Sequence, residues 1–205
     1  MNLNIICLHG FTQNSTIYKK KLARLIRSNQ NINLYFLNGP VKLAEANNPV
    51  DEPKAYWIYD LVNPLNVEFD YYDSETKLYH LEDSLKAFID LGNQIHRVDG
   101  IIGFSQGACF ADYICKLYAK NQIPFDLKFA VFISGRSFDK PDPSIKPKIK
   151  TLHMYGEVDT IVTNELSIQL ADCYDDKVIF SHNGAHIIPS NSSAKTVLKN
   201  FISSI

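Results

Sequence analysis

Short apolar runs, each followed by a segment of helical period, recur along most of this chain and leave few folds open to it. Leu3–Leu8 (LNIICL), Ile32–Leu37 (INLYFL), Gly100–Phe104 (GIIGF), Phe129–Ile133 (FAVFI), Thr151–Tyr155 (TLHMY) and Val178–Phe180 read as strands. Continuous apolar runs of this length are what strands covered on both faces require. Between them the apolar spacing changes to that of helices. In Ser15–Ser28, Tyr18, Leu22, Leu25 and Ile26 share one stripe, while Lys19–Lys21, Arg24 and Arg27 take the other. Leu81, Leu85, Phe88, Ile89 and Ile95 mark a second helix, and Ala108, Ala111, Cys115 and Tyr118 a third that starts near Gln106. Thr163–Ala171 reads as a fourth, and Ala194, Val197, Leu198, Phe201, Ile202 and Ile205 give an amphipathic C-terminal helix. Strands separated by helices imply right-handed crossovers. The expected fold class is α/β: a mostly parallel sheet of about six strands with helices on both faces, in a single domain over 1–205. Such sheets gather functional residues at the carboxyl ends of their strands.

Residues 40–80 break the alternation. They contain Pro40, Pro49, Pro53 and Pro64, the aromatics Tyr56, Trp57, Tyr59, Phe69, Tyr71, Tyr72 and Tyr79, and eight acids against three lysines. A long irregular connection in a compact domain serves as a functional loop or lid; the other reading is a packed surface insertion with a small aromatic core.

Composition narrows the class of partner. With 45% hydrophobic and 21% charged residues the chain has material for a core and is not a disordered segment. The 21 Lys and Arg against 22 Asp and Glu leave a net charge of −1, which argues against a nucleic-acid partner. No apolar run approaches the ~18–20 residues of a membrane span. The first residues, from Met1 to Ile6, lack the basic n-region of a secretory signal. Cys7, Cys109, Cys115 and Cys173 show no C-x-x-C spacing; they are expected as reduced thiols of a cytoplasmic protein, neither disulfides nor a zinc site.

The chemistry sits just after the strands. Gly103-Phe104-Ser105-Gln106-Gly107 fits G-x-S-x-G between the strand GIIGF and the helix that follows. A nucleophile elbow needs small residues on both sides of a tight, strained turn, which lifts the serine hydroxyl clear of the backbone. The same turn aims the Gln106 N–H, at a helix N-terminus, toward the same point. A phosphate-binding P-loop would end in Gly-Lys-Ser/Thr, which is absent. A serine needs a base, and in this fold class the order is Ser, then Asp or Glu, then His. Of the histidines after Ser105, His153 lies mid-strand and is expected to be packed. His186 lies in Ser181–His186, a Gly-bearing loop after the last strand, and is favoured as the base. His182, closer to the strand, is expected as a wall or solvated residue. Asp159 in Tyr155-Gly156-Glu157-Val158-Asp159 is the expected acid, with Glu157 as the alternative pointing outward and helix capping as the other role for Asp159. Asp139 and Asp142, among prolines, read as turn formers. In Leu8-His9-Gly10-Phe11, the Phe11 amide is the expected second oxyanion donor, and His9 is expected to orient that loop through hydrogen bonds.

Together these segments resemble the FSH family of small serine hydrolases, within the α/β-hydrolase superfamily. The matching pieces are LHGFTQN (8–14), DGIIGFSQGA (99–108), ISGRSF (133–138), YGEVDTIV (155–162) and HNGAHIIP (182–189), in order along nearly the whole chain. Tyr56-Trp57 also resembles an aromatic pair upstream of the elbow in that family. The likeness implies an α/β-hydrolase fold, Ser105, Asp159 and His186 as catalytic triad, and Phe11 and Gln106 as oxyanion hole. Family members hydrolyse carboxylic esters, often of hydrophobic acyl chains, and some fungal relatives release acyl products from carrier-bound thioesters. Thr163 stands where relatives often have proline, Ala185 where they often have glycine, and Arg136 where they often have an aromatic residue. Arg136 is read either as a partner for a substrate carboxylate or phosphate or as a solvated loop residue.

The resulting expectation is a hydrolase of small-molecule carboxylic esters that uses no cofactor and no metal and works through an acyl-enzyme. Trp57, Val162 and Ile187 are the expected apolar acyl wall. A thioesterase acting on coenzyme A or carrier-protein thioesters is the alternative, which a basic entrance patch would favour. A non-catalytic ligand-binding module on the same fold is the third reading.

Overall fold

The computed structural model describes residues 2–26, 31–66, 76–142 and 144–205. Six strands form one sheet: β1 (Leu3–Leu8), β2 (Ile32–Leu37), β5 (Gly100–Phe104), β6 (Phe129–Ile133), β7 (Lys150–Gly156) and β8 (Lys177–His182). Every pair is parallel and the order is β2-β1-β5-β6-β7-β8. A two-residue hairpin of β3 (Val41–Lys42) and β4 (Lys54–Ala55) stands apart from it. The helices are α1 (Ser15–Leu22), α2 (Leu81–Gln94), α3 (Gln106–Ala119), α4 (Asn164–Asp172) and α5 (Ser192–Ser203). The expected α/β architecture is therefore the observed one.

Alternation of side chains along each strand divides the core in two. Ile6, Leu8, Ile101, Ala130 and Phe132 pack with Phe88 of α2, Phe110 and Ile114 of α3 and Leu170 of α4. Ile5, Cys7, Ile102, Val131 and Met154 pack on the opposite face with Tyr18 and Leu22 of α1 and Leu198 and Phe201 of α5. The central strands β5 and β6 are buried at every residue, which is why their sequences are uniformly apolar. The edge strands β2 and β8 keep partial exposure. The four cysteines are free and buried. Among the described residues no helix is long and apolar enough to cross a membrane.

The largest departures from the expected bounds are at α1 and the last strand. Helix α1 ends at Leu22 rather than running through Ser28: Leu25 and Ile26 still face the core, but as a turn whose amides both reach the Leu22 carbonyl. Arg27 and Ser28 lie outside the described residues. The last strand is longer than Val178–Phe180, because β8 pairs with β7 from Thr151↔Lys177 through Gly156↔His182. That extra length carries the pairing to the functional end of the sheet.

Within residues 40–80, Val41, Leu43, Ala55 and Ile58 form a small core of their own with Phe11 and Tyr79. Asn14 anchors this segment while capping α1: its Oδ1 accepts from the Ile17 amide, and its Nδ2 donates to the carbonyls of Val50 and Glu52. Phe69, Tyr71 and Tyr72 lie outside the described residues.

His153 is packed, as its mid-strand position suggested. It stacks on Phe132 and lies beside Tyr174. Thr151 Oγ1 donates to the Asp176 carbonyl, so His153 Nε2–H donates to Thr151 and Nδ1 is the bare nitrogen, buried without a partner among the described residues. Burial first, and the charge of Lys177 second, push its pKa down to about 3. A histidine depressed in the fold makes the unfolded chain bind more protons below the ordinary value, so stability is lost as pH falls through that window. His153→Phe should therefore reduce the loss of unfolding free energy between pH 7 and pH 5 by about 2 kcal/mol. Urea denaturation of both proteins at the two pH values measures this; an identical loss in the variant would mean that the imidazole protonates freely in the fold.

Candidate active site

Ser105 leaves β5 with φ 53° and ψ −118°, a left-handed excursion that costs a non-glycine residue on the order of 1–3 kcal/mol. Neighbouring bonds hold it there. Its amide continues the sheet ladder to the Ile133 carbonyl (2.9 Å), and its own carbonyl accepts from Ala108 and Cys109, starting α3. The turn closes only because Gly103 and Gly107 lack side chains. A Cβ on Gly103 would lie 2.3 Å from the Gly107 carbonyl oxygen, and one on Gly107 would lie 2.2 Å from that of Leu8.

The acid and base loops are extensions of the β7–β8 ladder. After Gly156↔His182 the pairing continues from the Glu157 amide to the His182 carbonyl (2.7 Å) and from the Val158 amide to the Gly184 carbonyl. A Cβ on Gly156 would collide with the Gly184 carbonyl, so glycine permits the two loops to lie together. This brings Asp159 to His186. Asp159 Oδ1 accepts from the amides of Ile161 and Val162 (both 2.9 Å), and Oδ2 accepts from His186 Nδ1 at 2.8 Å. A carboxylate cannot donate, so Nδ1 carries the proton and Nε2 is left bare. Ser105 Oγ donates to that Nε2 at 2.8 Å. Ser105, His186 and Asp159 thus form one hydrogen-bonded chain, with the Asp159 carboxylate fully buried.

The competing residues lie elsewhere. Glu157 is exposed and accepts from Ser181 Oγ. His182 is buried rather than solvated: its Nδ1 accepts from the Gly184 amide and fixes the bend that presents His186. Burial lowers its pKa against the opposing fields of Asp159 and Glu157. His9 holds the β1 loop, donating from Nδ1 to the Gly10 carbonyl and accepting at Nε2 from the Gly39 amide, with its ring stacked on Tyr56. Burial depresses its pKa to about 4, so it is neutral at physiological pH. Asp142 is the turn former expected, accepting from the amide and hydroxyl of Ser144, whereas Asp139 pairs with Lys116.

Phe11 and Gln106 line the same cavity as Ser105, and neither backbone amide has an acceptor among the described residues. The Gln106 side chain has a role its sequence position did not signal. Oε1 accepts from the Tyr56 amide (3.0 Å) and Nε2 donates to the Trp57 carbonyl (2.9 Å), so the elbow grips the backbone of the 40–80 segment.

The cavity measures about 760 Å³, room for a drug-sized molecule. Trp57, Val162 and Ile187 all line it; Trp57 and Val162 are buried, and Ile187 is half exposed. Arg136 lines it too and is buried, which corrects its reading as a solvated loop residue. Its Nη1 donates to the Ser137 and Phe138 carbonyls, and Nη2 approaches the Tyr59 hydroxyl. Beneath it Asp112 accepts from the Phe138 amide and the hydroxyls of Ser137 and Tyr174, and pairs with the buried Lys116. Lys21 and Arg24, on the basic stripe opposite the apolar one, also line the cavity.

A family model described as serine hydrolase (FSH1) matches residues 1–198. An esterase of Aedes aegypti is 32% identical over 97% of this chain and 74% of its own length. An esterase of Mus musculus is 26% identical over 98% of this chain and 95% of its own. The crystal structure of acyl-protein thioesterase 2 from Zea mays superposes with a TM-score of 0.65 at 17% identity, covering 99% of this chain and 93% of that one, a likeness of fold.

The chain contains a single tryptophan, Trp57, which reports on the Gln106 grip. Gln106→Ala removes two hydrogen bonds and should lower stability by about 2 kcal/mol. Acrylamide should quench Trp57 fluorescence more strongly in the variant. Unchanged quenching would show that the small core around Ala55 and Ile58 holds the segment without Gln106.

Proposed function

This chain belongs to the serine hydrolase (FSH1) family, and from that premise we propose that it hydrolyses small-molecule carboxylic esters with Ser105 as nucleophile, His186 as general base and acid, and Asp159 as the group that orients His186. The observation that carries the reading is the continuous hydrogen-bonded chain from Asp159 through His186 to Ser105, opening on a cavity of about 760 Å³.

Ser105 Oγ attacks the acyl carbon as its proton passes to His186 Nε2. The buried Asp159 carboxylate, held by two backbone amides, stabilises the imidazolium without itself needing to move. The amides of Phe11 and Gln106 receive the oxyanion, and each such donor contributes roughly 3–4 kcal/mol to the transition state. The tetrahedral intermediate collapses as His186 gives its proton to the leaving alkoxide. Water, deprotonated by the same nitrogen, then releases the acid. Trp57, Val162 and Ile187 are the apolar surface for the acyl chain. Esters and thioesters share all of these steps, since the oxyanion donors contact the carbonyl oxygen and not the leaving atom. Residues 1–205 act as one α/β-hydrolase domain, with Trp57, Tyr59 and Leu65 of the 40–80 segment lining the site, and the four free, buried thiols suit a cytoplasmic setting.

Ser105→Ala should abolish labelling by a fluorophosphonate probe and lower kcat/KM on a short-chain nitrophenyl ester by about 10³-fold or more, with the urea midpoint retained. Labelling that persists in Ser105→Ala would move the nucleophile elsewhere.

A further inference from the structure

The lining of the cavity is drawn from both faces of the sheet, which gives it two sides, or arms, with different walls. Trp57, Tyr59 and Cys109 belong to the packing on the α2–α4 face. Phe104 and Ile188 belong to the cluster that Tyr18 and Leu22 of α1 help to build on the other face. Ser105 falls between Phe104 of one wall and Cys109 of the other.

Proton transfer tells the arms apart. His186 must hand its proton to the leaving atom, so the leaving group departs on the imidazole's side. That ring packs against Phe104 (centroids 5.1 Å apart), and Ile188 lies two residues beyond it. The leaving-group arm is therefore the one walled by α1. Its charged residues are Lys21 and Arg24, three apart on one side of the last turn of α1 and the turn that continues it, where the Arg24 amide bonds to the Lys21 carbonyl (3.2 Å). Both side chains are exposed, and neither makes an ion pair or side-chain hydrogen bond among the described residues. Among those residues no Asp or Glu lines the cavity. The helix dipole accounts for basic residues in the last turn of α1, Lys19 and Lys20 included, but those two lie off the cavity. A Lys and an Arg that share a wall with an apolar cleft, neither paired among the described residues, form a receptor for an anion, and a phosphate is the anion that a guanidinium grips with two parallel bonds.

We propose that the preferred substrates of this enzyme carry a phosphate on the leaving group, bound by Lys21 and Arg24. This rests on the reading of Ser105 and His186 as catalytic. The chemistry is met by a coenzyme A thioester and equally by an acyl ester of a phosphorylated alcohol.

Two matched pairs separate these sources: octanoyl-coenzyme A against S-octanoyl-N-acetylcysteamine, and 1-octanoylglycerol 3-phosphate against 1-octanoylglycerol. In at least one pair the wild type should favour the phosphorylated member in kcat/KM, and the preference should weaken as salt is raised. The double variant Lys21→Ala/Arg24→Ala should cut the ratio of phosphorylated to neutral kcat/KM by about tenfold, through KM. Preference in the sulfur pair alone identifies a coenzyme A-like leaving group, and in the oxygen pair alone a glycerophosphate-like one. Equal or greater turnover of the neutral member in both pairs overturns the inference, as does a preference that survives the double variant. A wild type that reacts with fluorophosphonate at Ser105 but turns over none of the four also overturns it. A wild type that neither reacts with the probe nor turns over any ester overturns the catalytic reading instead.

Discussion

Much of this molecule is arranged around one close approach, the first turn of α3 against the end of β1. A side chain on Gly107 would lie 2.2 Å from the Leu8 carbonyl oxygen and 2.5 Å from that of His9, so only glycine lets the helix advance this far. The approach sets the start of α3, with the Gln106 amide, against the loop that carries Phe11. It also puts the Gln106 side chain within reach of Tyr56 and Trp57. The Tyr56 hydroxyl accepts from the His9 amide and donates to the Leu37 carbonyl, which joins the ends of β1 and β2 to the same assembly. The left-handed backbone at Ser105 persists because its amide is committed to β6 and its carbonyl to α3.

The central strands were legible in the sequence because both of their faces are covered, and no polar residue could interrupt GIIGF or FAVFI without being buried. The edges were less so. Val178 and Ile179 of β8 are each more than two-fifths exposed, so burial does not mark where that strand ends, and Ser181 and His182 look like loop residues until the pairing with β7 is seen. Helix α1 was read too long because Leu25 and Ile26 keep the apolar stripe in a turn that is no longer helical. Ser105, Asp159 and His186 could be named because each follows a strand at the same end of one sheet, a consequence of topology. Trp57, Val162 and Ile187, expected from the sequence, do line the cavity, but the rest of its wall joins segments with no shared pattern. Lys21 and Arg24 were indistinguishable from Lys19 and Lys20 on a charged stripe, and the side-chain grip of Gln106 depends on a segment 50 residues away. The burial of Arg136 was hidden for the same reason.

The ion pairs under the Ser134–Asp139 loop illustrate how specificity of shape can matter more than net stabilisation. Lys116 and Asp112 are both buried, and removing such charges from water offsets most of what their attraction returns. Their geometry has a different consequence. Asp112 accepts from the Phe138 amide and Ser137 Oγ, and Lys116 reaches Ser137 Oγ and Asp139, so the backbone on both sides of residue 137 is held from below. Arg136 lies on that backbone, and its guanidinium bonds to the carbonyls the network has already fixed. A flexible, solvated Arg136 is incompatible with this support.

On the proposed reading, the reaction and its selectivity are built from different parts of the chain. Ser105, His186 and Asp159 are set by ladder bonds and glycine contacts at the ends of β5, β7 and β8. The two arms of the cavity are set by side chains from α1, the β6 loop and residues 40–66, where one residue can replace another without disturbing the ladder. Of these, Tyr56 and Trp57 are the most constrained, held by Gln106, by Ser84 Oγ at the Tyr56 carbonyl and by the stack on His9. Leu65, which also lines the cavity, is half exposed. Among the described residues the cavity therefore has a fixed wall at Trp57, near Ser105, and a more exposed one at Leu65, and on the proposed reading both face the acyl chain. Discrimination between acyl groups should be sharpest near the scissile bond and fade toward the distal end of the chain.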